Sequence, residues 1–379
     1  MNLEYTRNEA KKKLAYFIEN KLVNYSKLRN FNFDNQNQLT TSFLSPYVSH
    51  GVLSEIEIIN ESLKKHSFLR CQKFIDEIFW RIYWRGWLEL RPKLWDNFII
   101  DLKKIENDFN DNHNYKKALE GETHIECFND WVSELKLKNY LHNHVRMWFA
   151  SIWIFTLKLP WQLGAAFFLK HLYDGDTASN TLSWRWVAGI QTLGKHYLAK
   201  DWNIKKFTYE KYTNTKLNEN ALPLQNDMDY SIENRNFSNS VIIKNKKLLI
   251  FENNLSFEFS DHFNENQKKI FIVRNDDRKI KLSKNVIKLK NDLINDQISR
   301  LKKKSIICDL ININEIGKIN EEVYALYPNI GEDLDIIKIN KFNQIKFLYR
   351  KIDQYSWKFC DKGFFNFKKK IPKIMGEFS

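Results

Sequence analysis

Asp174-Gly-Asp176-Thr-Ala-Ser-Asn180-Thr-Leu-Ser-Trp184-Arg-Trp186 gathers two carboxylates, an amide and two indoles into thirteen positions. A helix that only has to bury one face does not need that chemistry. Carboxylates two apart, then an amide and paired indoles, suit a site that holds a polar heterocycle and conducts electrons. The plainer reading is a helix N-terminus with acidic caps, followed by a core tryptophan pair. The flanking sequence decides between them.

Eleven of the twelve tryptophans lie before residue 203, and only Trp357 lies beyond. That shift divides the chain. Residues 1–212 read as helical. Phe74, Ile78 and Ile82 recur at helical spacing within Phe68 to Leu90, and Trp131 to Phe155 repeats the pattern. Residues 213–240 are polar and read as a linker. Residues 241–379 carry short β-branched runs: Lys247–Phe251, Lys269–Val273, Asn285–Leu289 and Ser305–Asp309. These predict strands of a smaller α/β domain with a parallel, Rossmann-like sheet. Its strand ends, Glu252-Asn-Asn and Arg274-Asn-Asp-Asp, are candidates for a ligand crevice. No glycine-rich fingerprint follows a strand, which argues against dinucleotide binding there. Gln344 to Lys370 reads as a closing helix.

Composition narrows the partners. The formal charge is +14, which favours phosphate-rich partners, nucleic acid first, although abundant Lys and Asn also reflect compositional bias. The Lys302–Lys304 and Lys368–Lys370 clusters read as solvated faces. Cys71, Cys127, Cys308 and Cys360 form no CxxC pair, so neither a zinc site nor a disulfide framework is expected. The apolar stretch from Met147 to Leu159 is too short to span a bilayer, and a cytoplasmic location is expected.

Three further motifs accompany the opening one. Thr41-Ser42-Phe-Leu44-Ser45-Pro46 places hydroxyls at a helix start, where they serve as an ordinary cap or as a phosphate seat. Glu77, Trp80, Arg81 and Trp84 fall on one helical face, as a core helix with a salt bridge or as a pocket that stacks a flipped base. In His142-Asn143-His144-Val-Arg146-Met147, Asn143 and Met147 lie one turn apart. The two histidines do not share a helix face, which argues against a metal pair.

Taken in order, these motifs resemble the FAD-binding half of the photolyase/cryptochrome family over residues 25 to 205. The resemblance implies a helical FAD-binding domain and light-dependent repair of UV-damaged DNA by electron transfer from reduced FAD, a carbon–carbon lyase reaction. Thr41, Ser42, Leu44 and Ser45 match the segment that holds the flavin diphosphate, and Tyr25 a tyrosine against the cofactor. Arg81 would approach the cofactor. Asp174 and Asp176 would sit near the isoalloxazine and ribose, with Arg146 as partner of Asp174, and Asn180 would face flavin N5. Glu77 would contact the lesion, and Trp80 and Trp186 would wall its pocket. Trp184 and Trp161 match the first two members of the light-driven electron chain. The register places Asp108, which cannot conduct, where a third member belongs.

Asn143 and Met147 favour the cyclobutane dimer. His142 and His144 keep the (6-4) photoproduct open, since that repair needs a proton donor. A cryptochrome-like blue-light receptor without repair is the other alternative. Two departures stand out. Thr181-Leu-Ser replaces the family's Asn-Gly-Gly, and the flavin module begins almost at once, without the N-terminal antenna domain. The C-terminal sheet is read as a relocated antenna-like domain that carries no second chromophore.

Overall fold

The computed structural model describes residues 4–32, 41–192, 194–225, 230–238, 247–263 and 269–378. Parts of the expected 213–240 linker, residues 226–229 and 239–240, lie outside them. The helices are α1 (Arg7–Asn20), α2 (Leu22–Leu28), α3 (Ser45–Ser49), α4 (Glu55–Lys65), α5 (Phe68–Glu89), α6 (Lys93–Phe109), α7 (His113–Glu120) and α8 (Glu126–Lys138). They continue as α9 (Asn143–Ser151), α10 (Trp161–His171), α11 (Thr177–Ala188) and α12 (Asp201–Phe207). Then come β1 (Leu248–Phe251), β2 (Lys269–Arg274), α13 (Lys284–Lys303), β3 (Ile307–Asn312), β4 (Val323–Leu326), α14 (Glu332–Ile339) and β5 (Ile345–Leu348). The chain closes with α15 (Lys351–Trp357), α16 (Phe364–Lys368) and α17 (Ile371–Phe378). A helical N-terminal region is thus followed by a parallel-sheet domain, as the hydrophobic periods predict.

The chain forms two compact units, each discontinuous in sequence. One comprises residues 1–16, 44–92 and 232–379, and the other residues 17–43 and 93–231.

In the first unit the strand order is β3-β2-β1-β4-β5, all parallel, with Leu248 opposite both Ile270 and Tyr324. β1 is buried throughout because both faces are covered, which is why it reads as an unbroken apolar run. Leu249, Phe251, Phe271, Val273, Val323 and Ala325 join Ile313, Ile316 and Ile337 in one core. α15 and α16 pack on α5. Gly86 permits the close approach: a Cβ there would lie 2.5 Å from Trp357 Cδ1 and 2.6 Å from Cys360 Sγ. The α5 C-terminus is tied in by Glu89, which accepts from Tyr327 Oη at 2.8 Å and from Ile330 N at 2.8 Å, and pairs with Arg235 at 2.6 Å.

The expected strand ends are engaged by bonds within this unit. Glu252 pairs with Arg278 and Lys290, at 2.5 and 2.8 Å. Asn253 Nδ2 donates to the Pro328 carbonyl and Asn254 Nδ2 to the Tyr327 carbonyl, at 2.8 and 3.3 Å. Asn275 Nδ2 donates to Asp333 at 2.8 Å.

Three sequence expectations are corrected. Asn285–Leu289 is not a strand but the start of α13. Ser283 caps it by accepting from Val286 N, and Val286, Leu289, Leu293 and Leu301 are buried at helical spacing. The helical stretch from Trp131 to Phe155 is interrupted, because Asn139 is left-handed at φ 53° and ends α8 before α9 begins. Gln344–Lys370 opens with β5 before its helices, where Val323 N donates to the Gln344 carbonyl and Tyr327 N to the Leu348 carbonyl. Only pairing with a distant strand could select that state.

Candidate flavin site

In the second unit, α10 and α11 pack together and α9 packs on α11. Asp176 caps α11, its Oδ1 accepting from Ser179 N at 2.8 Å. Asp174, two residues earlier, is buried and receives Arg146 Nη2 at 2.9 Å, the pairing implied by the resemblance. Arg146 is aimed by a second bond, Nε to the Leu141 carbonyl at 2.9 Å, and its guanidinium lies 5.2 Å from the Tyr140 ring centre. Burial disfavours the Arg146 charge, but the Asp174 carboxylate outweighs it and raises the pKa.

The second oxygen of that carboxylate, Asp174 Oδ1, is buried with no partner, as are Ser179 Oγ and Thr181 Oγ1 nearby in sequence. Buried polar atoms without partners are costly and rare, so such atoms in sequence neighbours mark a place for an absent polar group. Asn180 is buried and donates Nδ2 to the Ala165 carbonyl at 2.9 Å. These donors and acceptors fit a polar heterocycle such as an isoalloxazine.

The remaining expected residues fall as follows. Asn143 opens α9 and is exposed, and Met147, one turn on, is half-buried. Trp186 stacks on Tyr197, with ring centres 5.9 Å apart and planes 23° apart. Trp184 is a buried core residue, edge-on to Phe168, Trp153 and Phe149. Trp161 meets Phe98 and the Arg185 guanidinium. Tyr25, on α2, is edge-on to Phe17 at 5.7 Å. Thr41 and Ser42 are half-buried, and Phe43, left-handed at φ 53°, brings its ring to 4.6 Å from Tyr140.

The histidines are held neutral. His142 is buried, caps α9 by accepting from His144 N, and is driven down to about 3 by burial. His144 hydrogen-bonds through Nδ1 to the Asn30 carbonyl at 3.0 Å and stacks on Trp148, and burial lowers its pKa too.

The first unit holds the other expected residues. Leu44 is the N-cap residue of α3 and is buried, and Ser45 is the first residue of that helix. On α5, Glu77 pairs with Lys73 at 3.5 Å. Arg81 faces Glu55 at 3.7 Å, and the same buried carboxylate also meets Arg85 and Arg350. Trp80 lies flat against Phe364 of α16, with centres 3.6 Å and planes 11° apart. Tyr83 Oη donates to the Lys362 carbonyl and Lys368 pairs with Asp76 at 2.6 Å, so α16 is pinned on both sides of that stack. Sequence reasoning missed Phe364, Tyr140, Tyr197 and Trp153. None sits in a motif, and each is defined by a partner distant in sequence.

The helical region matches the family described as the FAD binding domain of DNA photolyase, over residues 74–212. Over those residues the chain is thus similar to the FAD-binding domain of photolyases. It is 32% identical to a deoxyribodipyrimidine photo-lyase of Streptomyces griseus over 153 residues, 40% of this chain and 33% of that protein. It is 28% identical to one of Buchnera aphidicola over 265 residues, 63% of this chain and 54% of that protein. The matched part thus spans about a third to a half of these relatives' length. Among solved structures, a class III photolyase of Agrobacterium tumefaciens is similar at 27% identity and a TM-score of 0.46, covering 54% of this chain and 43% of that one. Among the described residues, no helix is long and apolar enough to cross a membrane.

Proposed function

We propose that this protein splits UV-induced pyrimidine dimers in DNA under light, the cyclobutane dimer in particular. The observation that carries the reading is the pairing of Arg146 with the buried Asp174 at the head of α11, with Asp174 Oδ1, Ser179 Oγ and Thr181 Oγ1 lacking partners. FAD, if bound there and reduced, would supply the photoexcited electron that opens the dimer. Asp174 would accept from a ring N–H, and Arg146 would stabilise negative charge on the reduced ring. The Asn180 carbonyl oxygen would meet the ring edge. By resemblance, Thr41, Ser42, Leu44 and Ser45 would hold the diphosphate, while Glu77, Trp80, Asn143, Met147 and Trp186 would take the dimer.

Two observations favour the cyclobutane dimer over the (6-4) product. Position 143 carries an amide and 147 a thioether, and neither gives up a proton. His142, beside Asn143 in sequence, is kept neutral by burial, down to about 3, and is used as a helix cap, and burial lowers the pKa of His144 as well.

One observation favours a second reading, a flavin photoreceptor without repair: Phe364 occupies one face of Trp80. In the repair reading a base stacks on the opposite face. Oligonucleotides carrying either lesion, incubated with reduced protein in light and in darkness, decide the matter. Light-dependent loss of the cyclobutane dimer supports repair, loss of the (6-4) product alone overturns the substrate, and loss of neither leaves the receptor. The C-terminal sheet is proposed as an antenna-like domain without its own chromophore, consistent with strand ends engaged by internal bonds. A deazaflavin or folate in a denatured extract would overturn that.

A further inference from the structure

We propose that α16 and the start of α17 form a strip of DNA-binding surface, in which Phe365 stacks on a base beside the dimer while Lys369, Lys370 and Lys373 meet phosphates of the same strand. The inference rests on the repair reading above. It assigns part of the substrate contact to the sheet-containing unit, outside the residues 74–212 that match the flavin domain.

Residues 362–373 hold five lysines and no acidic residue. The segment is two-faced. Phe364, Phe367, Ile371 and Ile374 recur at three- and four-residue spacing and are all buried. Phe364 lies on Trp80 of α5, and Phe367 meets Phe79 and Tyr83 of the same helix, with ring centres 6.2 and 5.5 Å apart. Phe365 stands outside that stripe with 79% of its surface exposed, more than any other Phe, Tyr or Trp among the described residues. Exposed on its own, a phenyl ring signifies little; here its neighbours point to a partner. Lys369, one turn on, shares its face and is exposed, and Lys362, Lys370 and Lys373 are exposed on either side. A surface that served solubility alone would need the lysines and not the ring. An aromatic plane among cations is the combination that holds a single strand, the plane for a base and the ammonium groups for its phosphates.

The strip is continuous with residues expected to take the dimer. Phe364 bridges the two, its ring centre 3.6 Å from that of Trp80 and 6.3 Å from that of Phe365. Two bonds fix α16 against α5, Tyr83 Oη to the Lys362 carbonyl at 3.0 Å and Lys368 to Asp76 at 2.6 Å. Lys368 thus holds the helix, and the other four lysines face solvent. Because α5 carries both Glu77 and Trp80, the spacing between the dimer contacts and the strip is set by helix packing.

The full chain is titrated in darkness, over a range of salt concentrations, against a dye-labelled single strand carrying one cyclobutane dimer and against the same strand undamaged. Fluorescence anisotropy reads the binding. The triple change Lys369→Gln, Lys370→Gln and Lys373→Gln should flatten the slope of log K against log salt by about 2 on both strands, since each lost phosphate contact removes about 0.7. Phe365→Ala should weaken binding of the dimer strand about fivefold or more and leave the salt slope as it is. Phe365→Tyr, which keeps the aromatic face, should bind like wild type. All four positions are exposed, so thermal melting should stay at the wild-type value in each variant. Wild-type binding by either the triple variant or Phe365→Ala overturns the strip. Light-dependent loss of the dimer is measured on the same strand. Its failure with binding intact removes the repair reading and leaves the strip to stand or fall on the variants, whereas a wild type that binds neither strand removes both.

Discussion

Replacing Asp174 by Ala tests the centre of the proposed site. Asp174 is buried and its one engaged oxygen holds Arg146 at 2.9 Å, while the Arg146 side chain keeps 23% of its surface exposed. Breaking a fully buried pair by removing one partner costs about 3–5 kcal/mol. Partial exposure of Arg146 lets water replace part of the lost bond, so the charged-hydrogen-bond range of about 1.5–3 kcal/mol is the better guide. An offset follows from Asp174 Oδ1, whose unpartnered burial is relieved by the same change. The net expectation is about 1–2 kcal/mol, or a Tm lower by roughly 2–8 °C. Flavin binding should suffer more than stability, because both the acceptor and the aim of Arg146 are lost. Calorimetry gives the first quantity, and flavin absorbance per protein the second. A variant that melts like wild type and carries a full complement of flavin would refute the placement of the ring against Asp174.

Other outcomes follow from particular contacts. Stability should fall as pH drops below about 6.5. His142 and His50 have folded pKa values of about 3, depressed by burial, so each contributes fully above its unfolded value and loses that contribution as pH falls toward the folded one. Denaturant midpoints at pH 7 and 5 should differ, and by less in His142→Gln. Gly51→Ala should cost about 1–2 kcal/mol or more, because φ is +63° and the added Cβ would lie 2.9 Å from Asn254 Cα. An unchanged urea midpoint would contradict that packing. Phe364→Ala should cost about 3–5 kcal/mol and expose Trp80 to collisional quenchers of fluorescence. Unchanged quenching would show that Phe364 does not cover the indole.

Much of the candidate site is legible because its chemistry is local. Asp174, Asp176 and Asn180 fall within seven positions, and α11 with its Asp176 cap is a property of that stretch alone. The Arg146–Asp174 pair was also anticipated, through resemblance rather than spacing, since the two are 28 positions apart. The sheet was legible in part. β1, β2 and β3 announce themselves as β-branched runs, whereas β4 and β5 become strands through pairing across the sheet. Asn285–Leu289 shows the converse error: five residues rich in β-branched side chains are helical because the cap and the burial pattern extend beyond them.

Residue order by itself determined the helical FAD-binding module, the parallel sheet behind it and the carboxylate–amide–indole cluster, because caps, hydrophobic period and motif spacing act over a few residues. Tertiary structure alone decided which rings touch: Trp153 against Trp184, Phe364 over Trp80, and Tyr197 against Trp186. Ring contact depends on how helices are rotated and spaced, down to the missing Cβ of Gly164, and no local pattern encodes that.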